Sequence, residues 1–255
     1  IRDSTIHLTG TNSLITKNNW YAGLQKDNKA QLIIKTNNSD ATAGILNARS
    51  IDGDGAGIGG GIHGSGSCSN IIIDSCSVIA SSKYGAGIGG SKQRAGSGIT
   101  INSSSVTASS TDGAGIGGGY GYGGSCENIT INGGSVKAPS VSGSPTNEGK
   151  EVYCCTIENP ENANVTIKPG TGNWKPVNHS SLDPDDTNLY VWLPKLESNS
   201  TNSYLITLNQ ENSSESRTRN YSFDTVTNTF KAAQVVNDFI FKSPVNLIYD
   251  GQPKE

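Results

Sequence analysis

Asp54 and Asp112 occupy equivalent places in a repeating sequence, each one residue ahead of a glycine-rich phrase. Two carboxylates across a bond are the machinery of glycoside cleavage, one protonating the leaving oxygen while the other activates water. If repeat units stack at the strand spacing of ~4.8 Å, units two apart hold these acids roughly 9.6 Å from each other, at the wide limit for an inverting mechanism. A plainer reading weighs more. Asp is favoured at turns ahead of glycine because its carboxylate bonds the local backbone, and the unit between carries Tyr84 where a third acid would stand. The run Asp52-Gly53-Asp54-Gly55 could hold a surface Ca²⁺ through Asp52 and Asp54, although the nine-residue period of calcium-binding solenoids is absent. His7, His63 and His179 are scattered, and the chain has no Gly-x-Ser-x-Gly, His-Glu-x-x-His or phosphate-loop motif. The expectation is no catalytic residue and no required cofactor, with Ca²⁺ at Asp52 and Asp54 the one metal to consider.

Binding chemistry gathers elsewhere. The stretches after the glycine phrases differ most from unit to unit: Ile62-His63-Gly64-Ser65-Gly66-Ser67, Lys92-Gln93-Arg94-Ala95 and Tyr120-Gly121-Tyr122-Gly123. Stacked, they line up His63, Lys92, Arg94, Tyr120 and Tyr122 along one edge, with Tyr84 beside them. Aromatic faces next to cations and amides suit a sugar chain, whose C–H faces stack and whose hydroxyl or uronate groups accept hydrogen bonds. Variable loops on one side of a solenoid are often its binding side. The competing reading is solvated loops with incidental tyrosines.

What must position these residues is the repeat itself. Gly55-Ala56-Gly57-Ile58-Gly59-Gly60-Gly61 recurs as Gly85 to Ser91 and as Gly113 to Gly119, in steps of 30 and 28 residues. Ile71-Ile72-Ile73-Asp74, Ile99-Thr100-Ile101-Asn102 and Ile129-Thr130-Ile131-Asn132 travel with it, each followed by Ser-Val-x-Ala. Apolar residues alternate within each unit, as strands require, and none recurs at three and four as a helix would need. Such periods mean units that bury their apolar faces only by stacking. The pattern predicts an all-β chain: a right-handed parallel β-helix with rungs of about 28–30 residues, Ile58, Ile88 and Ile116 stacked inside. Asp74, Asn102 and Asn132 form a polar corner ladder, and the glycines serve corners and close stacking rather than a nucleotide. Tyr21-Ala22-Gly23-Leu24, Leu32, Ile34, Leu46 and Ala48 mimic a weaker rung, and Thr5 to Leu8 with Ser13-Leu14-Ile15 the second half of another. A chain that starts in mid-rung reads as a fragment of a longer protein.

Five cysteines constrain the fold further. Cys68 and Cys126 hold equivalent positions two rungs apart, beyond the ~7 Å Cα reach of a disulfide, and are not expected to pair. Cys76 has inward parity. Cys154 and Cys155 are neighbours in a strand and face opposite sides, leaving one free to meet Cys126 or Cys68. Charged residues make up only 16% and net charge is −3, with no basic cluster, which argues against nucleic acid as partner. No apolar run approaches the ~20 residues of a membrane span. Abundant Gly, Ser, Thr and Asn fit an extracellular, secreted or cell-wall-anchored chain, taken as a monomer.

After Pro139 the pattern changes. Residues 139–150 lack periodicity and read as a linker. Strand candidates follow at Val152 to Ile157, Ala163 to Ile167, Leu189 to Leu193, Tyr204 to Leu208, Tyr221 to Phe223 and Asp238 to Phe241. The expected organisation is a β-helix over 1–140, a small antiparallel sandwich-like or capping domain over 146–242, and over 243–255 a linker or the start of a further module. Asn246 to Pro253 resembles the opening of immunoglobulin-like modules strung along Gram-positive surface proteins.

The Gly-Ala-Gly-Ile-Gly-Gly-Gly phrase followed by Asn-Ile-Thr-Ile-Asn-Gly-Gly-Ser-Val-Lys-Ala, residues 128 to 138, resembles the β-helical repeats of secreted or wall-anchored proteins of gut and rumen Gram-positive anaerobes. It is similar in style to the calcium-containing, polysaccharide-binding β-helix proteins of cellulolytic clostridia, and Tyr190-Val191-Trp192-Leu193-Pro194 resembles the aromatic strand that follows such repeats. The resemblance implies a surface adhesin or carbohydrate-binding module whose partner is a polysaccharide or a host or plant glycan. The alternatives are a polysaccharide lyase or glycoside hydrolase, and a purely structural stalk.

Overall fold

The computed structural model describes residues 2–26, 29–37, 44–62, 67–121, 126–159, 163–169, 185–196, 203–209 and 216–233. Among them every element is a strand or turn, and no helix occurs. Three parallel columns build the solenoid. The first stacks Ser4–Leu8, Leu32–Thr36, Cys68–Asp74, the front of Gly96–Ser110 and the front of Cys126–Lys137. The second stacks Thr11–Thr16, Ile45–Ser50, Ser77–Ser82 and the rear halves of the same two long strands. The third holds only two-residue strands, Leu24–Gln25, Ile58–Gly59, Ile88–Gly89 and Ile116–Gly117.

Register follows from the alternation. Ile73, Ile101 and Ile131 stack on one another, as do Ile71, Ile99 and Ile129, Val78, Val106 and Val136, and Ile58, Ile88 and Ile116, each essentially without solvent exposure. The weak repeat of the first fifty residues is a true rung, with Ile34 on Ile73 and Leu46 on Val78. Its loops are longer: the step from Leu24 to Ile58 is 34 residues. Corners take the residues that tolerate left-handed backbone, Asn70, Gly98 and Asn128 at one bend and Ser75, Ser103 and Gly133 at another. At the second bend the Asn132 amide donates to Asn102 Oδ1 at 2.9 Å, forming part of the expected polar ladder.

Residues 139–150 are not a free linker. Val141 bridges to Ile116 in parallel, and Ser140 O and Ser142 N–H bond the Ile116 backbone, so the segment prolongs the third column although it has lost the glycine phrase. Thr146 then pairs with Thr130 in parallel and with Glu151 antiparallel. The reversal is a two-residue turn in which Glu148 and Gly149 both have positive φ, the geometry that matches strand twist.

Beyond it the sheet is antiparallel except where Cys155 pairs in parallel with Phe230. Lys150–Glu158 pairs with Asn188–Pro194, while Asn164–Lys168, Ser203–Asn209, Ser216–Asp224 and Thr229–Ala232 pair in succession. Thr229–Ala232 carries no apolar alternation strong enough to announce it, and it joins the first pair through Cys155 opposite Phe230. The 150–158 and 188–194 strands are shared by two cores: Val152 and Trp192 pack on the solenoid's end, whereas Cys155, Ile157, Val191 and Leu193 face the cap's own core with Tyr204, Ile206 and Phe230. Cys154 and Cys155 accordingly face opposite sides, and none of the five cysteines is disulfide-bonded, Cys68 and Cys126 included. Burial pushes the Cys76 and Cys126 thiols up to about 12. The strand expected at Asp238 to Phe241 and the module expected over 243–255 lie outside the described residues.

Candidate functional edge

Each turn of the solenoid is closed by a serine. Ser82 Oγ donates to Gly55 O one rung back at 2.6 Å and accepts from Gly85 N–H at 3.0 Å; Ser110 repeats this with Gly85 O and Gly113 N–H at 2.6 and 2.9 Å. The serines fix the residue ahead of each glycine phrase, which therefore forms a column of its own. Asp54, Tyr84 and Asp112 donate backbone N–H bonds to Asn19, Gly53 and Lys83, each one residue before the column position of the preceding rung. The register adds a fourth member, Trp20, ahead of Tyr21-Ala22-Gly23-Leu24.

A second column runs beside it. The N–H groups of Ile62, Lys92 and Tyr120 donate to the carbonyls of Trp20, Asp54 and Tyr84 at 2.8, 2.7 and 2.8 Å. The loop after each glycine phrase thus folds back onto the residue before the previous phrase, and the two columns make one edge. Lys92 Nζ lies 3.2 Å from Asp54 Oδ1 and 4.7 Å from the Tyr84 ring centroid, and Lys83 Nζ lies 5.0 Å from that ring. Both groups of the Asp54–Lys92 pair are partly open to solvent, which limits its worth to about 1 kcal/mol or less. Tyr84 is a support for two ammonium groups. Trp20 and Tyr120, each 52% exposed, are the open aromatic surfaces of this edge.

Of the residues expected at the binding edge, Tyr84, Lys92 and Tyr120 come together, and Arg94 lies exposed on the same loop with its carbonyl accepting from Gly119. His63 and Tyr122 lie outside the described residues. Trp20 escaped the reading because its phrase has kept only one of the repeat's glycines; the alignment of Leu24 with Ile58 is the signal that finds it. Asp52 is exposed and Asp54 is engaged by Lys92, and among the described residues no group of three or more His, Cys, Asp or Glu side chains gathers to hold a metal ion. The register sets Tyr84 between Asp54 and exposed Asp112.

A family model described as a beta helix repeat matches residues 99–120 and 129–144, the second stretch running into the segment that prolongs the third column. No curated protein and no solved structure matches the chain. The rung register and the repeat match together identify a β-helical repeat protein.

Proposed function

We propose that this chain is a non-catalytic, glycan-binding region of a secreted or cell-surface bacterial protein, an adhesin or carbohydrate-binding module, and that the edge built by Trp20, Asp54, Tyr84, Lys92 and Tyr120 is its binding face. The observation that carries the reading is the pair of half-exposed aromatic rings, Trp20 and Tyr120, that the register sets along one edge of the solenoid, with Tyr21 also exposed beside Trp20. Tyr120 is tied one rung beyond Tyr84, which is itself two rungs from Trp20, so the two backbones are separated along the axis by about 14 Å, a span for a short oligosaccharide. Between them the Asp54–Lys92 pair supplies an acceptor and a donor for hydroxyl groups. The same edge without a ligand would be a stalk; with turnover it would be a lyase or hydrolase using Asp54 and Asp112.

A glycan array probed with the parent and with a Trp20→Ala, Tyr120→Ala double variant tests the reading. Two lost stacking contacts on the order of 1 kcal/mol each should weaken every hit about tenfold or more, with the melting temperature unchanged. Equal binding by the double variant would place recognition elsewhere, and release of reducing ends abolished by Asp112→Asn would replace the binding reading with an enzymatic one. Addition of EDTA should leave the array signals as they are; loss of signal rescued by Ca²⁺ and abolished by Asp52→Ala would put a calcium ion at Asp52 and Asp54.

A further inference from the structure

The solenoid and the cap do not meet flush. Between the last turn and the shared strands lies a cleft of about 540 Å³, within the size range that holds small ligands. Its walls are held rigid by contacts already in place. The Trp192 indole N–H donates to Val136 O at 2.9 Å, and the Tyr190 phenol donates to Asp186 at 2.9 Å while its backbone N–H donates to Ser135 Oγ. On the cap side of the 150–158 strand the Tyr153 ring is set edge-on to Phe223 at 4.7 Å and lies under Lys195 at 4.6 Å, which holds that wall from behind.

We propose that this cleft is a second binding site, distinct from the aromatic edge, that takes a neutral sugar segment one or two residues long. The argument rests on what the lining offers and what it withholds. Aromatic surface comes from Tyr190 and Trp192, and uncharged donors and acceptors come from Ser140, Thr156 and Asn228. Each charge at the walls is already answered: Lys137 pairs with Asp186, and hydrogen bonds from Tyr153 and then Ser144, with Lys195 nearby, hold the Glu151 carboxyl below the usual range. Among the described residues a phosphate or uronate would find no cation there that is not already engaged, whereas a pyranose presents C–H faces for the rings and hydroxyl groups for the rim. The site is independent of the edge, because the cleft lies beyond Lys137 while the edge ends at Asp112 and Tyr120.

Two-dimensional NMR of the labelled chain separates the two sites, since Trp192, its indole N–H bonded to Val136 O, lines the cleft while Trp20 lies on the edge. The probes are cello-, xylo-, manno- and maltotetraose, with tetragalacturonate and a proline-rich decapeptide as the charged and peptide counterparts. At least one neutral tetraose should shift the Trp192 indole signal saturably, and Thr156→Phe or Thr229→Phe, each filling the cleft from an existing strand position, should weaken that binding about tenfold or more. Two cleft variants guard against one that fails to fold, which circular dichroism reports. The proposal is overturned if no neutral tetraose shifts Trp192, if both folded cleft variants bind like the parent, or if only tetragalacturonate or the peptide shifts it. Shifts confined to Trp20 would uphold the edge and overturn the cleft; shifts at Trp192 without any at Trp20 would do the reverse.

Discussion

A methyl group added at residue 89 would land on the backbone carbonyl of Gly117, and the backbone there has φ +139, a region closed to side chains. Gly10 also has positive φ but nothing within 4 Å of its would-be Cβ. The two positions separate backbone strain from stacking distance. Gly10→Ala should cost roughly 1 kcal/mol, the ordinary left-handed penalty, whereas Gly89→Ala should cost roughly 3 kcal/mol or more because rung spacing must also give way. Urea midpoints decide it, and equal values for the two variants would mean that the rungs can part without loss. Gly59, Gly89 and Gly117 were legible as structural from recurrence alone, because a glycine that returns with the rung answers to the rung. Trp20 was not legible, since its importance comes from the register of Leu24 on Ile58 and not from any likeness in its own phrase.

Between elements, the cap is fastened by a few side chains of the 188–194 strand. Trp192 is only 8% exposed, completes the solenoid's apolar end and gives its indole proton to Val136. Trp192→Ala removes both and should cost roughly 3–5 kcal/mol, read as a lower unfolding midpoint and as proteolysis at the cap junction before the solenoid is cut. Asp186 adds a pH dependence. Burial pushes its carboxyl up, but hydrogen bonds from Lys137, the Asn188 N–H and the Tyr190 phenol, together with the Lys137 charge, outweigh this and hold it at about 2. A folded value below the ordinary one means that the interaction contributes fully at neutral pH. It is lost as pH falls from the usual carboxylate value of about 4 toward 2. Acid titration of the unfolding midpoint should therefore be shallower in Asp186→Asn between those limits, and parallel curves would show that Asp186 does not couple docking to pH. The strands of this junction were readable from alternation, though not which pairs with which; the docking of residues 139–150 was not readable, because one bridge at Val141 and a single pair at Thr146 leave no period in the sequence.

For the molecule as a whole, stability comes from stacking and not from covalent bridges. None of the five cysteines is disulfide-bonded, and Cys68, Cys76, Cys126 and Cys155 are buried. A reductant should leave the melting temperature unchanged, and iodoacetamide should modify Cys76 and Cys126 only as fast as the chain unfolds, since burial disfavours their thiolates. Rapid labelling of either in the folded protein, followed by mass spectrometry, would mean that the rungs open locally.

The sequence by itself determined the solenoid. Identical phrases at nearly equal steps can bury their alternating Ile, Val and Ala only by lying in register, so fold, core and parallel pairing follow from period and parity. It also determined that Cys68 and Cys126 stay apart, because their separation is a count of rungs. Tertiary structure alone decided where side chains from different rungs meet. It brought Lys92 onto Asp54 and Tyr84, aligned Trp20 with them, and left a cleft where the cap lies against the last turn. Such contacts depend on how far each loop folds back and how two cores share one pair of strands. Those distances are set by packing between segments far apart in the chain, and no local pattern records them.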